Sequence, residues 1–459
     1  MKEELHDSPV APPNRPLTAN GRAGPPRWSS RARHDVPLVV GARAISVAGD
    51  AAAMIALLLR AHAWGLGPLG VTALLASFGL PIVLLMGVAG RIADRYDSRR
   101  ILVLGGTLQA GAAAGLAVAD DLVATCVLVL LVQSAHAVLQ PTWSALVPRV
   151  AGEALAGRLI ALQQGLAAVA TPVGAATGGL LVGLAGDRVA FLANAATFAL
   201  VAVVAVAVRT RRGGRRDPGR VDPAGAAAGV APAGVAPAGV APASEQGRRG
   251  GLALLFGDPV LRPLFVLLIP ICVTTEAVNV VEIFLLRDVL AVPAEQVGLL
   301  TVALGAGAVA GSAVAGRIDR TPLRVRGVMA AFAAMGVLIA ASGMAPSYAV
   351  LLVLQAACGA ANALSNGLLM ALVVDRVPDA RRGDANAALN GLARALGTVA
   401  LIAGGWLGTV IGPRATFVWC GVATVLVVAG VALPRPSRRE RSERSPEGVR
   451  TPPAHRLER

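Results

Sequence analysis

Three acidic side chains, Asp50, Glu276 and Glu282, fall inside long apolar stretches, where an ionised carboxyl is expensive and usually faces a cavity or a partner. Asp50 closes the segment ARAISVAGD, and Arg43 stands seven residues before it. At about 3.6 residues per turn, both project from nearly the same face of a helix. Asp50 is therefore the leading candidate for a group that takes up a proton and trades charge for neutrality as its surroundings change; a structural hydrogen bond is the competing explanation. Glu276, Asn279 and Glu282 follow at three-residue intervals, which makes them neighbours on a helix surface. Either glutamate could carry the proton instead, although Glu282 could simply pair with Arg287.

Gln133, His136 and Gln140 recur at the spacing of one helical face, as expected of a wall lining a wet cavity. His136 carries the side chain whose charge changes most readily near neutrality. Asn386, Asn390 and Arg394 align in the same way, and Asn362 and Asn366 are one turn apart. With Arg43 and Asn279 these are cavity candidates, and hydrogen bonding between helices is the alternative use of such groups. The four cysteines, Cys126, Cys272, Cys358 and Cys420, sit singly in apolar runs without metal-site or disulfide spacing.

These residues must be positioned by membrane-spanning helices. About 20 predominantly apolar residues cross a bilayer core, and such stretches recur from Val36 to Pro434. The chain of 459 residues is 55% hydrophobic and 15% charged, with a mean hydropathy of +0.65, more apolar surface than one water-soluble core could bury. The pattern predicts helices over 37–60, 68–90, 101–119, 122–147, 158–184 and 189–208, then over 259–285, 296–316, 327–345, 348–374, 386–410 and 414–433. The expected fold is an all-α membrane protein of about twelve transmembrane helices in two six-helix pseudo-repeat bundles around a central cavity. Its expected parts are a disordered N-terminus (1–35), an N-terminal bundle (36–208), a flexible linker with repeated GVAPA units (209–257), a C-terminal bundle (258–433) and a disordered tail (434–459).

The formal net charge of +15 is spread through loops and tails rather than gathered into a nucleic-acid-binding domain. Arg91, Arg95, Arg99, Arg100, Arg149, Arg158, Arg317, Arg320, Arg324, Arg326, Arg381 and Arg382 fall on one side of the predicted topology, against Arg188, Arg287 and Arg414 on the other. Positive loops stay cytoplasmic, so both termini are expected in the cytoplasm and the chain in a bacterial cytoplasmic membrane. LVPRVAGEALAGR after the fourth helix and RVPDARRGDANAA after the tenth echo each other, each with Val-Pro at a helix exit.

Between the second and third helices lies GRIADRYDSRR, Gly90 to Arg100. Gly90 would let two helices approach closely, and Asp94 would cap or pair with a neighbouring helix N-terminus, whose partial positive charge favours an anion. With Arg95, Arg99 and Arg100 this forms a candidate conformational latch; charges that only set topology are the alternative. The second half repeats it one residue shorter as GRIDRTPLRVR, with Gly316, Asp319 and Arg320. This loop resembles the signature loop of the major facilitator superfamily, with Asp97 in place of a frequent glycine and Ser98 in place of a frequent arginine. The segments ARAISVAGD, LQPTWSALVPRV and FLLRDVL are most similar to the drug-proton antiporter branch that includes macrolide and enterobactin exporters, Trp143 standing where a basic residue is common. GAATGGLL, with Gly174, Gly178 and Gly179, resembles the antiporter glycine motif, with Ala175 at its usual proline position; ordinary tight helix packing would use the same residues.

The resemblance implies secondary active transport, proton-coupled efflux of a small amphipathic molecule (drug, antibiotic or siderophore-like) by alternating access. A nutrient symporter or facilitator of the same fold and a non-transporting sensor or scaffold are the other readings. A P-loop needs a lysine in a glycine-rich cradle, and the single lysine is Lys2. The histidines are scattered, without zinc-protease spacing, so no enzyme, metal or cofactor is expected. The expected partners are a small-molecule substrate, protons and the lipid bilayer, without nucleic acid, and the expected state is a monomer. With 3% aromatic residues no aromatic cage is evident, though Trp143, Phe284 and Trp406 could contribute locally.

Overall fold

The computed structural model describes residues 30–151, 153–208, 253, 255–378 and 381–432. The chain before Ser30, nearly all of the expected linker and the expected tail lie outside the described residues, as do the side chains of Asp94, Asn386, Asn390 and Arg394.

The first half is six helices: α1 (Ser30–Ala63), α2 (Pro68–Arg95), α3 (Ser98–Leu116), α4 (Leu122–Ala151), α5 (Glu153–Ala185) and α6 (Asp187–Ala207). In the second, α7 (Leu261–Phe284) runs into a π-helical turn (Leu285–Val289). Then come the short α8 (Ala294–Val297), α9 (Leu299–Ala315), α10 (Thr321–Gly343), α11 (Tyr348–Arg376) and α12 (Arg382–Ala432). No strand occurs among the described residues. Ten of these helices are long and apolar enough to cross a membrane. The expected twelve follow once the short, glycine-rich α3 is added and α12 is divided in two. The division falls at Gly412, whose φ of 79° no helix accommodates, and Pro413 then starts the second arm. Helix α1 begins at Ser30, before the expected boundary, and runs through Pro37, which lacks the N–H for one helical bond.

Gly65, Gly186 and Gly412, the glycines with positive φ among the described residues, make the α1–α2, α5–α6 and mid-α12 turns. They share one end of the molecule, where the halves join. A single buried core there takes Leu57, Val71 and Leu74 from the first half and Val280, Val281 and Leu285 from the second. At the opposite end the first half keeps a separate core of Val39, Leu102, Leu139, Leu146 and Leu159. Trp143 belongs to that core at 4% exposure and is no cage residue, while Trp406 points outward. Helices α2 and α5 pack against the second half through α12, α8 and α9, whereas α4 and α11 have no extended packing on the opposite half.

Candidate functional site

The first half assembles its polar seam because two glycines bring α5 against α1. A Cβ on Gly174 would lie 2.1 Å from the Ala48 carbonyl oxygen, and one on Gly178 2.5 Å from Ala52 Cα. Asp50 sits midway along that seated turn. Next to it Gly49 leaves room for Asn194 of α6, whose Oδ1 would be 2.5 Å from an added Cβ and accepts from Thr197 Oγ1 at 3.1 Å. Arg43, two turns earlier on α1, carries the opposite charge. Its Nη2 donates to Gln140 Oε1 of α4 at 3.0 Å, and Gln140 Nε2 donates to His136 Nε2 at 2.7 Å. Arg43, Asp50, His136 and Gln140 thus form one cluster, with Gln133 partly buried one turn toward the joined end.

The second half repeats the construction with different chemistry. Gly404 of α12 seats on Ala277 of α7, and Gly408 on Val281, as Gly174 and Gly178 seat on Ala48 and Ala52. Two residues past Ala48 is Asp50; two past Ala277 is Asn279. This register makes the neutral Asn279 the counterpart of Asp50. His136 lies fourteen residues after the start of α4 and Asn362 fourteen after the start of α11, with Gln140 and Asn366 one turn further in each. Asn366 Nδ2 donates to Asn362 Oδ1 at 2.8 Å, so both pairs are internally bonded. Asn279 is exposed in mid-helix and donates to Glu276 Oε2 at 3.1 Å. Glu282 accepts from Gln355 Nε2 of α11 at 3.2 Å; Arg287, its expected partner, instead donates to the Val292 carbonyl at 2.7 Å.

The joined end is held across the halves by His62 and Asp288 at 2.6 Å and by Thr72 Oγ1 donating to the Leu401 carbonyl at 3.1 Å. Gly179 and Gly183 of α5 face Ala294 and Glu295, and a Cβ on Gly298 would come 2.0 Å from the Ala175 carbonyl oxygen. The glycine segment of α5 therefore works on two faces, Gly174 and Gly178 against α1 and Gly179 against the other half. Behind this end Arg60, only 5% exposed, bonds Asp187 and the carbonyls of Leu116 (2.5 Å) and Ala119 (3.2 Å), with Phe191 stacked 4.3 Å from its guanidinium.

At the far end Asp97 caps α3, accepting from the Arg99 and Arg100 amides at 2.8 and 3.3 Å, and Arg99 reaches the Val206 carbonyl near the end of α6. Arg95 and Arg100 are exposed, and Gly90 lies in the last turns of α2. In the second half Asp319 is 3.9 Å from Arg324, which binds Asp375 at 2.5 Å; Arg320 is the N-cap residue of α10. Among the described residues no group of histidine, cysteine, aspartate and glutamate is arranged to hold a metal ion.

Two six-helix halves joined at one end, each with a polar seam, define a polytopic membrane protein of the transporter class. The family model for the Major Facilitator Superfamily matches residues 39–286 and 272–458, and the chain belongs to that family. No curated protein sequence matches it. Among solved structures, the POT family transporter PepTSo is similar with a TM-score of 0.66 at 12% identity, covering 92% of this chain and 100% of that one. The nucleoside transporter NupG is similar at 0.61 and 12%, covering 86% and 98%. The human organic anion transporter MFSD10 gives 0.55 and 15%, covering 88% and 100%. At such identities the likeness is one of fold.

Asn194, Gln355, Arg60, His62, Thr72 and Asp288 enter these networks without having stood out in the sequence. Only Arg60 had a usable signal there, a cation within a spanning helix.

Proposed function

We propose that this protein is a proton-coupled exporter of small amphipathic molecules, working as a monomer by alternating access in a bacterial cytoplasmic membrane, with both termini in the cytoplasm. The single observation that carries the reading is the placing of Asp50 and Arg43 two turns apart on α1, with Arg43 bonded to Gln140 of α4. An ionised Asp50 attracts Arg43 and a protonated one does not, so that proton and substrate compete for the arrangement of one seam. Neither Glu276 nor Glu282 has a cationic partner among the described side chains, and their bonds to Asn279 and Gln355 are indifferent to such an exchange.

Direction rests on the resemblance of ARAISVAGD, LQPTWSALVPRV and FLLRDVL to drug-proton antiporters, and sidedness on the arginine-rich loops at the end where the halves are apart. The Gly90–Arg100 loop is assigned the latch, with Asp97 fixing the start of α3 and Asp94 as the anion that engages the neighbouring helix; Asp319 and Arg320 are its reduced counterpart. Arg43, Gln133, His136, Gln140, Asn279, Asn362, Asn366, Asn390 and Arg394 are assigned to the substrate cavity. Reconstituted protein assayed for erythromycin and ethidium flux with and without an imposed proton gradient tests the proposal. Asp50→Asn should lower gradient-driven flux at least about tenfold, as loss of a general acid–base group does, while Glu276→Gln and Glu282→Gln keep most of it. Full coupling in Asp50→Asn rejects Asp50 as the proton site.

A further inference from the structure

The chain Arg43–Gln140–His136 has a direction. A guanidinium only donates, so Gln140 must turn its Oε1 toward Arg43, and its amide nitrogen, which only donates, is then aimed at His136 Nε2. His136 Nε2 must accept, which places the ring proton on Nδ1. A proton on Nε2 would confront the Gln140 amide hydrogens at 2.7 Å. Relief requires Gln140 to turn over, and its NH2 would then confront Arg43.

We propose that Gln140 is a positioning residue that makes protonation of His136 and the Arg43–Gln140 bond mutually exclusive, so that a proton arriving on α4 detaches Arg43 of α1. This rests on the proton-coupled reading above, and adds to it a second protonation event that acts on the same arginine from the opposite helix. No covalent step is involved: one proton moves onto Nε2, one hydrogen bond to Arg43 breaks, and the freed guanidinium is left to Asp50 or to substrate.

Among the described side chains of the helices packed on α4, Arg43 and Asp50 of α1 are the charges brought to this depth. Arg91 and Arg95 of α2, Arg99 and Arg100 of α3 and Arg158 of α5 belong to the far end. Gln109 of α3 is buried but uncharged.

The test needs no substrate. Full-length protein carrying 15N-labelled histidine is placed in lipid nanodiscs, and the His136 resonances are assigned by their loss in His136→Asn. The wild type should show the Nδ1–H tautomer at pH 7. Gln140→Leu, which keeps Arg43 but removes the opposing donor, should raise the doubly protonated fraction of His136 at pH 6 about fivefold, the effect of one hydrogen bond of ordinary strength. Gln140→Glu, nearly isosteric and acceptor-only, should move the ring proton to Nε2. An Nε2–H tautomer in the wild type, or equal protonation in wild type and both variants, overturns the proposal. The Asp50→Asn flux measurement judges the broader reading separately: intact coupling there would reject the Asp50 assignment and leave the His136 tautomer as it is.

Discussion

His62 Nε2 lies 2.6 Å from Asp288 Oδ1, and the two residues belong to opposite halves of the protein. The contact is made only while the halves are joined, so it should favour the joined arrangement. The other charges nearby are engaged locally: Arg60 with Asp187, and Arg287 with the Val292 carbonyl. Val118 and Met344 flank this end, one on each half, at 73% and 70% exposure. Spin labels there, on a background with the native cysteines replaced, should report a longer-distance population that is larger in Asp288→Ala than in the wild type, and His62→Ala should give the same increase. A distance distribution unchanged in both variants would remove the pair as a gate.

Two glycines in comparably tight contacts should behave differently. A Cβ on Gly298 would fall 2.0 Å from the Ala175 carbonyl oxygen across the halves, whereas one on Gly311 would fall 2.0 Å from the Ala360 carbonyl oxygen within the second half. Gly298→Ala can be relieved by parting the halves, so the same spin labels should show the open population with little loss of thermal stability. Gly311→Ala has no such escape. It should cost about 1–3 kcal/mol, as overpacking does, read as a lowered melting temperature in detergent. Equal melting temperatures for the two variants would contradict the distinction.

How far the sequence could be read depended on whether a property was local. Helix positions were legible because apolar runs of spanning length are a local feature, and the Arg43–Asp50 face followed from helical period alone. Gln140 as the residue between Arg43 and His136 did not, since which face of α4 meets α1 is decided by packing. Asn279 as the mate of Asp50 became visible only when Gly404 and Gly408 set the register of α12 on α7. Asp97 looked like a departure from a loop pattern, yet an aspartate just before an apolar run is a helix-start signal, and it caps α3. Arg60 showed in the sequence only as a cation within a spanning helix; its partners at the end of α3 and the start of α6 are far away in the chain.

Arg60 should be among the most costly residues to remove. It joins α1 to the C-terminal carbonyls of α3 and to the start of α6, and its aromatic neighbours exclude water. Arg60→Met should destabilise by about 3 kcal/mol, since it strands Asp187 and two buried carbonyls. Asp187→Asn, which keeps the carbonyl bonds, should cost about 1 kcal/mol. Thermal unfolding in detergent checks the order; equal losses would mean that the ion pair, not the carbonyl cradle, dominates.

Asp258 gives a pH signature outside the membrane segments. Burial pushes its carboxyl upward, but the Leu261 and Val260 amides and nearby Arg376 outweigh that and hold it below the ordinary carboxylate value. The amides donate at 2.9 and 2.8 Å and Arg376 lies 3.5 Å away, so one side chain both caps α7 and ties it to the end of α11. A folded-state pKa below the unfolded one means that the group stabilises the fold fully above the unfolded value, about 4. The benefit is lost as pH falls through the folded value. Asp258→Ala should therefore melt below the wild type at pH 7, and the gap should narrow progressively as the pH is lowered toward 3. A gap that stays constant across that range would assign the effect to lost packing rather than to the ionised carboxylate.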